Sequence, residues 1–367
     1  MPRDGSRKIQ PIRARPIRRS ASGIAKAKSP SGVHSSPPYT FIESVRGKNM
    51  NEEVGVEKGQ RRPGVLGVHS LDHFALTVPD LAEAAAFYTT FGLDVRPEGT
   101  GAAIYTFGHP QRWAVLQEGK RKRFGHLSFG IYESDLPAFR NRLEQLNVPT
   151  VPPPRWFMSN GIWFRDEEGN MVEVAVKAKS SPMEKSLFRE VSSPAGVPGA
   201  TLRSRAQITR PRRLSHIALY TKDVSRKLKF YSSVLGLRLS DRVGEFVAFL
   251  HGPHGSDHHM FAMVKSGGPG LHHCSWDVGS VNEIGLGAEQ MMAKGYHTGW
   301  GVGRHVLGSN YFYYVTDPWG SHTEYSADMD YVPADCDWEA HDHADEDTFT
   351  LWGTQPPSGF MTNFEII

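Results

Sequence analysis

The amino-acid sequence predicts an α+β protein that contains a duplicated domain. The stretch HFALTVPDLAEAAAFYTTFGL from His73 matches HIALYTKDVSRKLKFYSSVLGL from His216, with one extra residue in the second copy. Two later pairs of blocks match in the same order: GHLSFGI with HHCSWDV, and DEEGNMVEV with DPWGSHTEY. Such self-similarity indicates repeated architecture. The repeats alternate strand-like and helix-like patterns, which favours helices on one face of mainly antiparallel strands.

Each copy opens with a strand that is followed by an amphipathic helix. Asp80 and Asp223 stand where an aspartate can cap the first helical turn, and each helix is expected to end near a glycine. The later part of each copy repeats the order of strand, helix (DLPAFRNRLEQL in the first copy) and further strands. The two halves of each domain therefore resemble one another in pattern.

The matched blocks predict a domain organisation. The prediction is an N-terminal non-catalytic domain at 67–178, a linker rich in Ser, Pro, Arg and Gly at 179–212, and a catalytic domain at 213–332. A basic tail at 1–66 and an extension at 333–367 flank them. The extension mixes His with acidic residues, and we interpret it as a solvated tail over the second domain rather than a cation site.

Composition limits the possible functions. The formal net charge is +3, the basic residues are concentrated in the first sixty or so positions, and the opening stretch 1–32 is Arg-rich, Ser-rich and nearly free of acids. This stretch could be a transit peptide or an arm that binds nucleic acid. We prefer a disordered tail, or a shorter chain whose translation starts at Met50, because no aromatic residues are interleaved with the basic ones. Two cysteines and no apolar run of membrane-spanning length favour a cytoplasmic protein without a membrane or nucleic-acid partner.

Strand alternation selects side chains that can share one face. His216, His273 and Glu324 fall on strand faces that do not pack against helices, whereas His272 is expected near the edge of the helix-packing side. Two imidazoles and one carboxylate with open positions beside them suit non-haem Fe(II). This pattern predicts a metal site.

The first domain carries His73, His126 and Glu173 at the same repeat positions. The residues around each set distinguish the two domains. The second domain adds three side chains, His258, His305 and Tyr314, at offsets where the first domain has Gln111, Pro154 and Trp163. Only the second domain thus offers groups that transfer protons near neutral pH. We expect the chemistry there, and we expect the first set to be a relic without metal.

Four segments of the second domain resemble motifs of a known family. HIALYTKDV, DHHMFAMV, LHHCSWDV and GRHVLGSNYFYYVTDPWGSHTEY are similar to motifs of the type I extradiol ring-cleavage dioxygenases, such as catechol and biphenyl-diol 2,3-dioxygenases, of the vicinal oxygen chelate superfamily. The similarity covers roughly 67–332, with specific motifs at 216–325. It implies four βαβββ modules, paired into two open barrels, with the metal in the second.

The resemblance also implies residue roles. His216, His273 and Glu324 match the family's metal ligands, and His258 matches its acid–base histidine. His305 and Tyr314 match residues that hydrogen-bond the substrate oxygens. His259 is left out because alternation turns it away from His258.

The implied activity is meta cleavage of a catechol-type diol with O2, giving a muconic semialdehyde-type product in aromatic catabolism. Fe(II) is favoured over Mn(II) as cofactor, O2 is the co-substrate, and a small aromatic diol and a second copy of the chain are the expected partners. The alternatives are a non-catalytic small-molecule-binding protein of the same fold, a glyoxalase-like isomerase and a 4-hydroxyphenylpyruvate dioxygenase-like enzyme. The substituent on the diol stays open.

Overall fold

The computed structural model describes residues 61–190 and 192–366. The predicted basic tail therefore lies almost entirely outside the described residues. Within these two ranges, no helix has the length and apolar character needed to cross a membrane.

The first half of the structure, residues 70–176, contains seven strands and two α-helices. The strands are β1 (Ser70–Val78), β2 (Asp94–Glu98), β3 (Gly101–Tyr105), β4 (Arg112–Glu118), β5 (Arg123–Ile131), β6 (Ile162–Arg165) and β7 (Met171–Val176), and the helices are α1 (Leu81–Thr90) and α2 (Leu136–Gln145).

The second half, residues 213–342, contains eleven strands and two α-helices. The strands are β8 (Arg213–Thr221), β9 (Arg238–Val243), β10 (Val247–His251), β11 (Ser256–Asp257), β12 (Phe261–Lys265), β13 (Gly270–Asp277), β14 (Gly299–Arg304), β15 (Tyr311–Thr316), β16 (His322–Ala327), β17 (Tyr331–Val332) and β18 (His341–Asp342), and the helices are α3 (Val224–Leu235) and α4 (Val281–Met292). Short 3₁₀ helices occupy Glu133–Asp135, Arg203–Arg205 and Asp345–Asp347.

The two large sheets share one topology. The first has the order β2-β3-β4-β1-β5-β7-β6, and the second has the order β14-β15-β16-β13-β8-β12-β10-β9-β18. In each, two antiparallel strands form the centre (β1 with β5, β8 with β13), and each of them has a parallel neighbour on its other side. The predicted α+β class and the four strand–helix–strands modules are confirmed, and both sheets are open. In the second module, one expected strand is reduced to a single bridge between Thr150 and Phe164.

Aspartate caps begin the first helix of each half, as predicted. The Asp80 carboxylate accepts hydrogen bonds from the backbone N–H groups of Ala82 and Glu83, and Asp223 accepts one from Arg226. Helix α3 ends at Gly236, whose φ of 73° is costly for residues other than glycine. These caps fix the start of each helix relative to the strand before it.

The helices cover one face of each sheet and leave the other face free for a site. Along β8, Ile217 and Leu219 belong to the main hydrophobic core, whereas Ala218 and Tyr220 belong to a separate cluster on the opposite face. The halves contact each other through this core, where the rings of Phe91 and Tyr325 stack with centroids 3.7 Å apart. We refer to the face opposite the helices as the inner face.

The C-terminal extension lies over the second sheet, as the sequence analysis expected, and part of it also pairs with that sheet. His341 and Asp342 are exposed, as expected, but they form β18 beside β9, and the next residue, His343, bonds to Asp241. Further along, the Phe349 carbonyl accepts a hydrogen bond from His305. Backbone pairing, which local composition does not reveal, holds this segment on the second sheet.

Candidate active site

Three neighbouring strands of the second sheet bring the predicted ligand residues together. His216 lies on β8, His273 on β13 and Glu324 on β16, and β13 runs between the other two. Ser275 on β13 is the direct register partner of both His216 and Glu324. Because register partners share a face, the small serine side chain leaves room above it for the larger ones.

The triad is compact and buried. The Nε2 atoms of His216 and His273 are 2.9 Å apart, and Glu324 Oε2 lies 3.3 Å and 3.7 Å from them. All three residues are buried, and Glu324 is fully so. Ligands at right angles on bonds of about 2.1 Å would lie about 3.0 Å apart, so these spacings suit three adjacent positions around one cation.

The carboxylate of Glu324 has one oxygen held and one oxygen free. Oε1 accepts a hydrogen bond from Asn310 Nδ2 at 3.2 Å. Among the described residues, Oε2 has no hydrogen-bond partner. A fully buried carboxylate oxygen that faces two imidazole nitrogens needs a compensating charge, and a divalent cation would supply it. The residues therefore fit a metal ion.

His305 and Tyr314 lie beside the triad, where the sequence analysis expected them. His305 Nδ1 donates to the carbonyl of Phe349 at 2.6 Å, which leaves Nε2 to accept from the Tyr314 hydroxyl at 3.1 Å. Tyr314 is the register partner of Glu324. Burial raises the pKa of Tyr314 well above its ordinary value, with Glu324 adding to the shift, and burial lowers the pKa of His305. Tyr314 therefore keeps its proton near neutral pH and can donate a hydrogen bond.

His258 does not reach the cavity, which contradicts its predicted place beside the triad. Its Nε2 bonds to Asp241 Oδ2 at 2.7 Å, in a separate pocket that Trp338 and His343 also line. The following residue, His259, lines the cavity instead. Alternation fails here because two consecutive residues, Met260 and Phe261, both pack into the helix-side core. His258 and His259, which precede them, therefore lie on the faces opposite to those that alternation predicts.

His259 is placed to act on a bound ligand. Its ring lies 4.2 Å from that of His216, centroid to centroid, and its Nδ1 is 3.1 Å from His258 Nδ1. Burial, together with the neighbouring His216, holds the pKa of His259 well below its usual range. The ring is therefore neutral near pH 7, so one of its two nitrogens presents a lone pair.

His272 is a second correction. A register shift between Leu271 and His273 lets both histidines face inward, since Leu271 and Cys274 on either side belong to the helix-side core. His272 consequently lines the same cavity as His273, and their Nδ1 atoms are 2.6 Å apart. The predicted place of His272 near the edge of the packing side was wrong because a β-bulge interrupts the period of two.

The cavity has about 60 Å³ of space for the centres of water-sized molecules, and both polar and apolar side chains line it. The polar lining consists of the triad with His259, His272, His305, Asn310 and Tyr314. The apolar lining comes partly from strands of the second sheet, as at Phe249 and Val264, and partly from the C-terminal extension, as at Phe349 and Phe360. A largely apolar cavity with a few convergent polar groups is typical of a small-molecule site.

The first half holds a related cluster that other side chains cover. His73 Nε2 and His126 Nε2 are 2.9 Å apart, and Asp72, His73 and Glu173 each offer a potential ligand atom within 4.8 Å of the others. Phe157 packs on both imidazoles, with ring centroids 5.1 Å and 4.8 Å away. The space that would receive a ligand is therefore filled by side chains.

Comparison with known proteins decides the family. The model of the glyoxalase/bleomycin resistance protein/dioxygenase superfamily matches residues 70–174 and 213–325, which is more than half of the chain. The chain belongs to this superfamily. It is 50% identical to metapyrocatechase 2 of Cupriavidus necator over 81% of this chain and 93% of that protein. The resemblance to extradiol dioxygenases is thereby confirmed.

Solved structures agree on the fold. The Mn(II)-bound glyoxalase from Novosphingobium aromaticivorans superposes with a TM-score of 0.64 at 26% identity, covering 80% of this chain and 94% of that chain. An extradiol ring-cleaving dioxygenase from B. fuscum gives 0.65 at 20% identity, covering 82% and 84%. Both similarities extend over the two repeated halves.

Sequence reasoning missed several cavity residues for different reasons. Asn310 could have been found, because alternation places it on the same face as Tyr314. His259 and His272 were hidden by interruptions of that alternation. Phe349 and Phe360 gave no local signal, since only the return of the extension to the sheet brings them to the cavity.

Proposed function

We propose that this protein cleaves the aromatic ring of a catechol-type diol beside its two hydroxyl groups, using O2 and giving a muconic semialdehyde-type product. The observation that carries the proposal is the buried triad of His216, His273 and Glu324, which opens onto an apolar cavity. The 50% identity to metapyrocatechase 2, a catechol 2,3-dioxygenase, supports the same reaction.

Nε2 of His216, Nε2 of His273 and the free oxygen of Glu324 would hold the metal. We propose Fe(II) as the resident ion, with Mn(II) as the second candidate, because two imidazoles and a carboxylate suit either ion. Held there, such an ion would supply vacant positions for the two diol oxygens and O2 and would let electron density pass between them.

The side chains around the triad would manage the substrate and its protons. His259 would serve as the acid–base group in place of His258, since its neutral ring faces the cavity. Tyr314 and His305 would hydrogen-bond a diol oxygen and fix its orientation. The apolar wall would enclose the ring and keep water away from the reacting atoms.

The test is to load the full chain with Fe(II) without oxygen, add catechol, and then admit air. Equimolar uptake of O2 and catechol together with a yellow product is the expected result, and metal-free protein is the control. A Mn(II)-loaded sample run in parallel decides between the ions. Tight binding of intact catechol with no oxygen uptake by either sample would overturn the proposal in favour of a binding protein.

A further inference from the structure

One carboxylate near the C-terminus joins matched positions of the two halves. Phe124 on β5 and Leu271 on β13 are equivalent in the repeat, since each stands two residues before the second histidine of its set. The Phe124 N–H donates to Glu365 Oε2 at 2.8 Å, and the Leu271 N–H donates to Glu365 Oε1 at 3.0 Å. The proposed reaction, on which this inference rests, has given Glu365 no role.

Both contacts fall on irregular positions of the two sheets. The pairing of β1 with β5 shifts by one residue between Phe124 and His126, and the pairing of β8 with β13 shifts between Leu271 and His273. Such a bulge disrupts the hydrogen-bond ladder, so a buried N–H beside it needs an acceptor from elsewhere. Glu365 supplies that acceptor in both halves at once.

Three consecutive residues of the first half, Lys122, Arg123 and Phe124, hold Glu365. Lys122 Nζ lies 3.0 Å from Glu365 Oε1, and the two side chains are only 3% and 5% exposed. Arg123 donates to the Glu365 backbone carbonyl at 2.6 Å. Because a buried carboxylate without a counter-charge is costly, the ion pair with Lys122 fixes where the end of the extension docks.

The segment that leads to Glu365 forms part of the cavity lining. Phe360 and Met361 both line the cavity. The ring of Phe360 packs against those of Tyr314 and His272, with both centroid distances 5.0 Å. Glu365 follows Phe360 by five residues, so the place where Glu365 docks limits where this ring can lie.

We propose that Lys122 and Glu365 form an anchor that places Phe360 and Met361 against the cavity and thereby determines how tightly the cavity binds catechol. Neither Lys122 nor Glu365 lines the cavity, so both are positioning residues. A molecule in which the anchor is released lacks this part of the lining and binds catechol weakly. The observed affinity is therefore reduced by the fraction of molecules that are anchored. Through this anchor the first half contributes to the site of the second.

The decisive variant is Glu365→Gln, which is close to the same size. A glutamine has one acceptor oxygen, and its amide group presents N–H donors toward the remaining backbone N–H or toward Lys122. The matched control is Glu339→Gln, because Glu339 belongs to the same extension and is exposed. Lys122→Met tests the anchor from the first half, and its control is the exposed Lys120→Met.

The measurements are steady-state oxygen uptake at varied catechol, the Kd of the Fe(II)-loaded chain for catechol without oxygen, and metal content. In Glu365→Gln, KM and Kd should both rise about 10-fold, the effect expected when hydrogen bonds to a charged group are lost. The kcat at saturating catechol should change little, because bound catechol favours the anchored form. Lys122→Met should act in the same direction, and both controls should keep the wild-type values.

Hydrogen exchange of residues 356–366 in the metal-free chain is a readout that needs no activity. It should be faster in Glu365→Gln and Lys122→Met than in their controls, because released segments exchange through local opening. The double variant of Lys122→Met with Glu365→Gln leaves no unpaired buried charge, so it covers a failure of Lys122→Met to fold. Its KM and Kd should rise at least as much as in Glu365→Gln alone.

Unchanged KM and Kd in folded Glu365→Gln would overturn the proposal. A kcat that falls with the metal content while KM keeps its value would also overturn it, since Glu365 would then only support the fold. A wild type that takes up no O2 under air would contradict ring cleavage. The anaerobic Kd and the exchange of residues 356–366 would still decide whether the anchor exists.

Discussion

The two halves of the molecule carry the same two histidines and glutamate at matched strand positions, yet Phe157 packs on the first pair of imidazoles whereas a cavity opens beside the second pair. The imidazole pairs are alike, since the Nε2 atoms are 2.9 Å apart both in His73 with His126 and in His216 with His273. The difference between the halves therefore does not lie in the histidines.

The two glutamate carboxylates differ in their hydrogen-bond donors. In the first half, Ser128 donates to one oxygen of Glu173 at 2.6 Å, and Ser159 donates to the other. In the second half, the serine matched to Ser128 is Ser275, whose hydroxyl has no partner within the described chain. Glu324 accordingly keeps one oxygen for another ligand. A glutamate that two hydroxyls already satisfy gains less from a cation.

The space beside the imidazoles differs as well. Phe157 stands sixteen residues before Glu173, and the residue at the same distance before Glu324 is Gly308. A side chain begun at Gly308 would meet His258 Nδ1 and His259 Cε1 at 3.3 Å, and its φ of 89° favours glycine. The same ligand residues thus require an unsatisfied carboxylate and an open cavity before they can serve a reaction.

The largest expected effect distinguishes the two glutamates. Glu324→Gln should lose the bound metal and nearly all oxygen uptake with catechol, while Glu173→Gln should keep both. A metal centre supplies several kcal/mol to the transition state and each 1.36 kcal/mol is tenfold in rate, so we expect a loss of about 10³-fold or more in Glu324→Gln. Metal content per chain and oxygen uptake measure the difference.

The opposite pattern would break the comparison. Two metal ions per wild-type chain, with one of them lost in Glu173→Gln, would assign an ion to the first half. Circular dichroism of both variants checks that neither loss reflects unfolding.

The repeat made most of the fold predictable. The matched positions of Asp80 and Asp223, and of the two histidine–glutamate sets, established a duplicated α+β domain without any view of long-range contacts. Residues 333–367 were harder to predict, because β18 forms only when two residues pair with β9 a hundred positions earlier. Such distant pairing leaves no periodic trace in the sequence.

The candidate site was predictable as far as strand alternation holds. His273, Cys274 and Ser275 pair without a break with Ala218, Ile217 and His216, so the shared face of the two histidines and Glu324 followed from the period of two. His259 and His272 lie next to irregular positions, where a shift of one residue moves a side chain to the opposite face of the sheet. Alternation selected His273 within one pair of histidines, and geometry was needed to select His259 within the other.

A smaller effect is expected from His259→Gln, which tests that choice. If His259 is the acid–base group, kcat should fall about 10²- to 10⁴-fold while metal content is unchanged. Arg112→Gln is the matched control, since Arg112 and His259 each lie two residues before the strand positions that pair with Phe74 and Ile217. Steady-state oxygen uptake measures both variants, and a normal kcat in His259→Gln would return the role to His258.

The smallest effect is expected from Tyr314→Phe, which removes one hydroxyl and leaves the ring in place. Its first-half counterpart is Trp163, because these residues are the register partners of Glu324 and Glu173. A hydrogen bond to a charged group contributes about 1.5–3 kcal/mol, so kcat/KM for catechol should fall roughly 10-fold or more. Trp163→Phe should leave kcat/KM unchanged. An equal fall in both variants would mean that the loss comes from weakened packing of the sheets, and the distinction between a reactive half and a filled half would then no longer rest on Tyr314.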